Sequence, residues 1–228
     1  MPKARKPQTK SQQLLVEGKN DRHVIWALCL KYELPKNFSV EVINPEDKPD
    51  EAEREDRGIE ELLKYLPAKL DEENLETLGI VVDADIDLEA RWQALSNKLN
   101  DFGYKDIPKK PQIDGWIDTQ PELPKIGIWV MPNNQLPGML EDFVSYLIPP
   151  DDEIKPEVEA WLENLEAQKI NPYSEARRAK AFIHTWLAVQ KKPGMPMGQA
   201  ITARALSEDA EVVKNFIEWL NRLFAPEP

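Results

Sequence analysis

The sequence predicts an α/β fold: a mostly parallel central sheet with helices on its faces, followed by a C-terminal helical extension. Three observations predict it. Short, continuously apolar runs such as Leu78-Gly79-Ile80-Val81-Val82 and Ile126-Gly127-Ile128-Trp129-Val130 read as strands buried on both faces. These runs alternate with stretches whose apolar residues recur at helical spacing, the pattern of a parallel sheet with crossover helices. Beyond residue 150 the strand-like runs stop and only helical periodicity remains.

Taken in order, Gln13-Leu14-Leu15-Val16 forms a first strand that ends at the turn Glu17-Gly18. Residues 20–33 carry Val24, Ile25, Leu28 and Cys29 at helical spacing, with Asn20 or Asp21 as cap. Residues 38–43 alternate as a second strand. A helix follows over 58–70, then the buried strand 78–82, which runs into Asp83-Ala84-Asp85-Ile86-Asp87. A helix over 88–102 places Trp92, Leu95 and Leu99 on one face. The proline-rich stretch 107–124 is irregular, with a short strand near Trp116. Residues 126–130 form a further strand that ends at the turn Met131-Pro132-Asn133-Asn134, and a helix starts near Gly138. Three helices, over 153–168, 175–190 and 208–224, hold Trp161, Trp186 and Trp219. The expected organisation is a basic tail (1–11), an α/β domain (12–148) and a helical extension (149–228) packed on that domain.

Composition narrows the function classes. The chain has 228 residues, 41% hydrophobic and 31% charged, which is ordinary for a globular protein with a real core. No run approaches the ~20 apolar residues of a membrane helix, so no membrane partner is expected. MPKARKPQTK at the N-terminus is basic with no apolar run behind it, which predicts no secretory signal and a cytoplasmic location. One cysteine, Cys29, excludes an intrachain disulfide framework and a multi-cysteine zinc site, and suits a small core residue. With only His23 and His184 besides, any metal site is built mostly from carboxylates. The net charge of −12 argues against a general nucleic-acid coat protein. That charge is uneven: residues 46–61 hold nine acids and three bases, whereas 174–204 hold six bases and one acid. A basic face can therefore coexist with an acidic chain.

The candidate chemistry lies in acids placed after strands, because parallel sheets bind ligands outside the carboxyl ends of their strands. Glu17 follows the first strand, Asp83, Asp85 and Asp87 follow the central one, and Glu141 and Asp142 open the helix after the last. Carboxylates gathered in a half-buried place repel one another and call for a cation. Magnesium, or manganese, suits such hard oxygen ligands and serves phosphoryl chemistry. Asp87 and Asp142 fit helix capping as well as they fit metal binding. An aspartyl-phosphate phosphatase is disfavoured, since Asp87 stands where that pattern wants Thr or Val.

These residues resemble a Toprim domain. The strand ending Leu14-Leu15-Val16-Glu17-Gly18, with Lys19-Asn20-Asp21 opening the next helix, looks like its first motif, and Ile80-Val81-Val82-Asp83-Ala84-Asp85 looks like its second. Toprim domains occur in topoisomerases, primases, small nucleases and nucleases of the overcoming-lysogenization-defect type. The full chain is similar to an uncharacterised bacterial family of single-domain Toprim-like proteins, through Gly127-Ile128-Trp129-Val130-Met131-Pro132, Gly138-Met139-Leu140-Glu141-Asp142-Phe143 and Lys180-Ala181-Phe182-Ile183-His184-Thr185-Trp186. The resemblance implies Glu17 as general acid/base or metal ligand, Asp83 and Asp85 as magnesium ligands, and Glu141 as the extra acid of the nuclease branch that helps hold a second metal. No Gly-x-x-x-x-Gly-Lys-Ser/Thr run, topoisomerase-like tyrosine domain or cysteine-based zinc module accompanies it.

Basic residues complete the reading. Lys180 and His184 lie four apart, with Arg177 three before Lys180, a stripe that suits a phosphate or serves as plain surface. Lys19 stands at a helix N-terminus, where anions are favoured. His23 reads as a surface or packing residue. Trp116 and Trp129, beside proline-rich loops, are the candidates for base stacking. Two functions remain open: a metal-dependent nuclease or related phosphotransfer enzyme, or a non-catalytic module on the same scaffold that binds a nucleotide or a protein partner in a defence or repair complex.

Overall fold

A computed structural model describes residues 10–43, 58–207 and 210–225. The basic tail therefore lies almost wholly outside the described residues, as does most of the acidic stretch 46–61. The chain forms five strands, β1 (Gln12–Val16), β2 (Ser39–Val42), β3 (Thr77–Asp83), β4 (Trp116–Asp118) and β5 (Lys125–Met131), in one sheet ordered β2-β1-β3-β5-β4. The first four in that order run parallel, and β4 pairs antiparallel at the edge. The α/β class read from the sequence is the observed one. β3 is paired on both sides and covered on both faces, which is why it reads as an unbroken apolar run.

The strand order decides where a ligand can sit. From β1 the chain first steps outward to β2, then returns past β1 to β3. The carboxyl ends of β1 and β3 are thus neighbours at a reversal of strand order, where the connecting segments leave to opposite sides and a crevice opens. Glu17 and Asp83 stand at that point.

Alternation along the strands divides the core in two. Leu15, Ile80, Val82, Ile128 and Val130 face α2 (Gly58–Leu70) and α3 (Leu88–Phe102). Leu14, Val16, Val81, Trp129 and Met131 face the other way. There they meet α1 (Lys19–Lys31), α4 (Leu140–Ser145) and the whole extension: α5 (Ile154–Ala167), α6 (Arg178–Ala188), α7 (Met197–Thr202) and α8 (Glu211–Phe224). The extension packs on the sheet and shares its core. α8 comes closest, because β3 and β5 carry glycine beneath it. A Cβ on Gly127 would stand 2.8 Å from Leu223, and one on Gly79 2.9 Å from the same side chain. Trp129, Phe216 and Trp219 then pack ring against ring at centroid distances of 5.2–5.8 Å, edge-on, tilted and stacked in turn, a favourable spacing for aromatic pairs.

Several sequence expectations shift. The helix read over 175–190 is a 3-10 turn (Glu175–Arg177) followed by α6, the last helix starts at Glu211, and α7 has no counterpart in the expectation. Trp129 is fully buried and Trp116 is 5% exposed, so neither can stack on a base. Flanking prolines suggested accessibility, but β5 lies inside the sheet and both rings go into the core. Cys29 is partly buried and burial pushes its thiol up to about 12, so it is an unreactive core residue. Among the described residues no helix is long and apolar enough to cross a membrane.

Candidate functional site

Each acid of the site is carried to the crevice by a particular piece of backbone. Glu17 follows β1 directly, and its Oε1 accepts a hydrogen bond from the Asp83 backbone N–H at 2.9 Å. Asp83, the last residue of β3, accepts at Oδ1 from the Leu140 N–H at 2.9 Å, which ties β3 to the start of α4. The turn after β3 is fastened to the same place. Asp85, at φ 53, exchanges two backbone hydrogen bonds with Gly138 (2.9 and 2.7 Å), and Gly138 at φ 140 adopts a conformation that suits glycine. Glu141, in the first turn of α4, is 1% exposed and pairs through Oε1 with Lys180 Nζ of α6 at 2.9 Å.

Asp21 joins this group, a role the sequence reading had confined to capping. It sits in the first turn of α1, accepts at Oδ2 from the Gly18 N–H at 3.1 Å, and is buried. Its Oδ1 is buried with no hydrogen-bond partner, and so is Oε2 of Glu141. The motif Glu17-Gly18-x-x-Asp21 contained the signal: a residue four after the strand-end acid, on the first turn of the helix, returns to the strand end.

The electrostatics follow from burial and crowding. Loss of solvent pushes the Glu17 carboxyl up to about 7, although the Asp83 N–H and the Arg91 guanidinium oppose the rise. Burial, then the charges of Glu17 and Glu141, push Asp21 up to about 7 as well. Asp83 is raised well above the usual carboxylate range by burial and by Glu17, Asp21 and Glu141. With no cation, the cluster therefore shares protons near neutral pH.

The acids open onto a cleft of about 950 Å³. Lys19, Arg91, Arg177 and Lys180 bring positive charge to it. Asp85 is at its rim, its side chain 47% exposed and paired with Arg91. Two expected site residues take other roles. Asp87 lines the cleft, but its Oδ1 caps α3, accepting from the Ala90 N–H at 2.9 Å. His184 is exposed and is not among the residues lining the cleft. Asp142 also caps, accepting from the Met139 N–H at 2.9 Å. His23, exposed beside Trp26, does line the cleft.

The donor set fits a hard divalent cation: carboxylate oxygens from β1, β3, α1 and α4, two of them buried without partners. Among the described residues no three acids, histidines or cysteines are arranged as a ready-made cage. Backbone N–H groups and Lys180 engage part of the oxygens instead.

A family model matches residues 11–225. The chain belongs to DUF3226. That family is described as proteins of unknown function. No curated protein and no solved structure matches the chain. The DUF3226 match runs from β1 through α8, so sheet, cleft and helical extension form one family unit.

Proposed function

We propose that this chain is a magnesium- or manganese-dependent enzyme that cleaves phosphodiester or related phosphate-ester bonds of nucleic acid through a Toprim-like carboxylate site. The observation that carries this reading is the convergence of Glu17, Asp21, Asp83 and Glu141 at the strand-order reversal, with two buried carboxylate oxygens left without partners. Such a cluster is costly unless a cation or protons neutralise it. Asp83 and Asp21, with Glu17 or Glu141 and with Asp85 at the rim, would hold a divalent ion, which would supply Lewis-acid polarisation of a phosphate oxygen.

The chain's own residues do the rest. Lys180 and Arg177 of the α6 side and Lys19 of α1 bring cationic groups to the cleft, where a phosphate can be held and oriented. Glu17, whose carboxyl is raised to about 7, is suited to take up or release a proton at neutral pH. Its bond from the Asp83 N–H fixes its position, and the Asp83–Leu140 bond fixes Asp83.

A second reading has its own support. Lys180 already neutralises Glu141, so the cleft can exist without metal as a non-catalytic module for a nucleotide or a protein partner. Incubation of short single- and double-stranded oligonucleotides with Mg²⁺ or Mn²⁺ separates the two. The enzyme reading expects metal-dependent cleavage that Asp83→Asn removes. No cleavage of any such substrate, with nucleotide binding retained, favours the module.

A further inference from the structure

The cleft is chemically two-sided. Most of its cations and its buried acids come from α1, α4, α6 with the 3-10 turn before it, and the strand ends. The opposite wall carries an aliphatic patch, Ile43 at the end of β2, Ile59 and Leu63 on α2, and Ala90 and Ala94 on α3, with Glu61 and Arg91 on the same two helices. Ile59 and Leu63 are partly buried against the core beneath, so they form a backed surface and not loose side chains. A site for a polynucleotide track needs cations spaced along it, because a duplex carries one phosphate per about 1.7 Å of axis. Here four cations line the cleft with seven acids, Glu17, Asp21, Glu61, Asp83, Asp85, Asp87 and Glu141. That balance admits one or two phosphates and opposes a long polyanion. A cleft of about 950 Å³ is also of small-ligand size.

We infer that the cleft takes a nucleotide-sized phosphate ester, its phosphate at the Lys19, Arg177 and Lys180 side and its base against the Ile43, Ile59, Leu63, Ala90 and Ala94 wall. The inference rests on the proposed metal-assisted phosphate chemistry of the same site and specifies its substrate class: a free nucleotide or a single-stranded chain end. The aliphatic wall supplies the affinity that distinguishes a nucleotide from a bare sugar phosphate, by removing the base from water.

The test is calorimetric binding to the full chain at pH 8 with Mn²⁺ present. The probes are adenosine 5′-monophosphate, ribose 5-phosphate and a 20-base-pair duplex. The expected result is adenosine 5′-monophosphate binding roughly tenfold or more tightly than ribose 5-phosphate, and more tightly than the duplex. Ala90→Gln, at an exposed helical position that tolerates a neutral polar side chain, is expected to erase that advantage while leaving Mn²⁺ affinity within about twofold. Ile59→Ser serves as the second variant. Equal binding of the two small probes, tighter binding of the duplex, or an advantage that survives both variants overturns the inference. Any of these, with Mn²⁺ binding intact and sensitive to Asp83→Asn, leaves the metal-site reading standing. Loss of that metal dependence overturns the reading itself.

Discussion

Replacing Asp21 by asparagine should stabilise the metal-free protein, and by an amount that depends on pH. Asp21 is buried beside Glu17, Asp83 and Glu141, with Lys180 the nearby cation that opposes their effect. Its carboxyl is raised from the ordinary 3.8 to about 7. Between those values the folded protein holds a proton that the unfolded chain has lost. The resulting stability is complete below pH 3.8 and falls as pH rises through 7. Each pH unit in that window costs the wild type about 1.4 kcal/mol. Asparagine keeps an oxygen for the Gly18 N–H, adds a donor facing the acids, and does not titrate. Over the two units from pH 5 to pH 7, with the slope easing as pH nears 7, the variant should therefore gain about 2 kcal/mol on the wild type. In a chain of this length that is a Tm gap widening by roughly 4–8 °C. The assay is thermal unfolding in chelator at pH 5, 6, 7 and 8. Magnesium at pH 8 should then raise the wild type and not the variant. A Tm gap that stays constant, or that narrows as pH rises, would refute the electrostatic reasoning.

Four further outcomes are expected. Lys180→Met strips the Nζ partner from a buried Glu141 carboxylate and should cost about 3 kcal/mol in urea unfolding, with most of it recovered by adding Glu141→Gln. Asp87→Ala should lose about 1 kcal/mol of stability as a missing helix cap, yet keep the full metal-induced rise in Tm, which separates cap from ligand. Gly127→Ala drives a methyl to 2.8 Å from Leu223 and should cost about 1–3 kcal/mol in denaturant melts, since the buried Leu223 side chain has to give way. His184→Ala, outside the cleft, should leave Mn²⁺ affinity and any oligonucleotide cleavage within about twofold.

What could be read from the sequence depended on whether local pattern or long-range packing set each feature. β1, β3 and β5 were legible because strands buried on both faces need uninterrupted apolar residues. The acids that follow them were legible because parallel strands end at one edge of the sheet. Asp21 was harder to read: capping and facing the cluster use the same first-turn position, and only the packing of α1 against β1 shows that it does both. His184 was misplaced by spacing alone. Four residues advance a helix by about 6 Å, and the buried face Phe182, Ile183, Trp186 and Leu187 fixes its rotation, so Lys180 reaches Glu141 while His184 stays in solvent. Trp116 and Trp129 were misread because neighbouring prolines said nothing about depth in the sheet. The glycines Gly79 and Gly127 sat inside strand runs with no sequence sign that Leu223 of α8, far later in the chain, would rest on both of them.

The central claim is that Glu17, Asp21, Asp83 and Glu141 form a cation site, and Mn²⁺ binding followed by electron paramagnetic resonance tests it most directly. The wild type should bind Mn²⁺ at pH 8 and lose affinity as pH falls below about 7, where Glu17 and Asp21 take up protons. Asp83→Asn should bind at least roughly tenfold more weakly. Binding that is unchanged in Asp83→Asn, or that does not vary with pH between 8 and 6, would contradict the claim and place the metal elsewhere, with the acidic stretch 46–61 the first segment to examine.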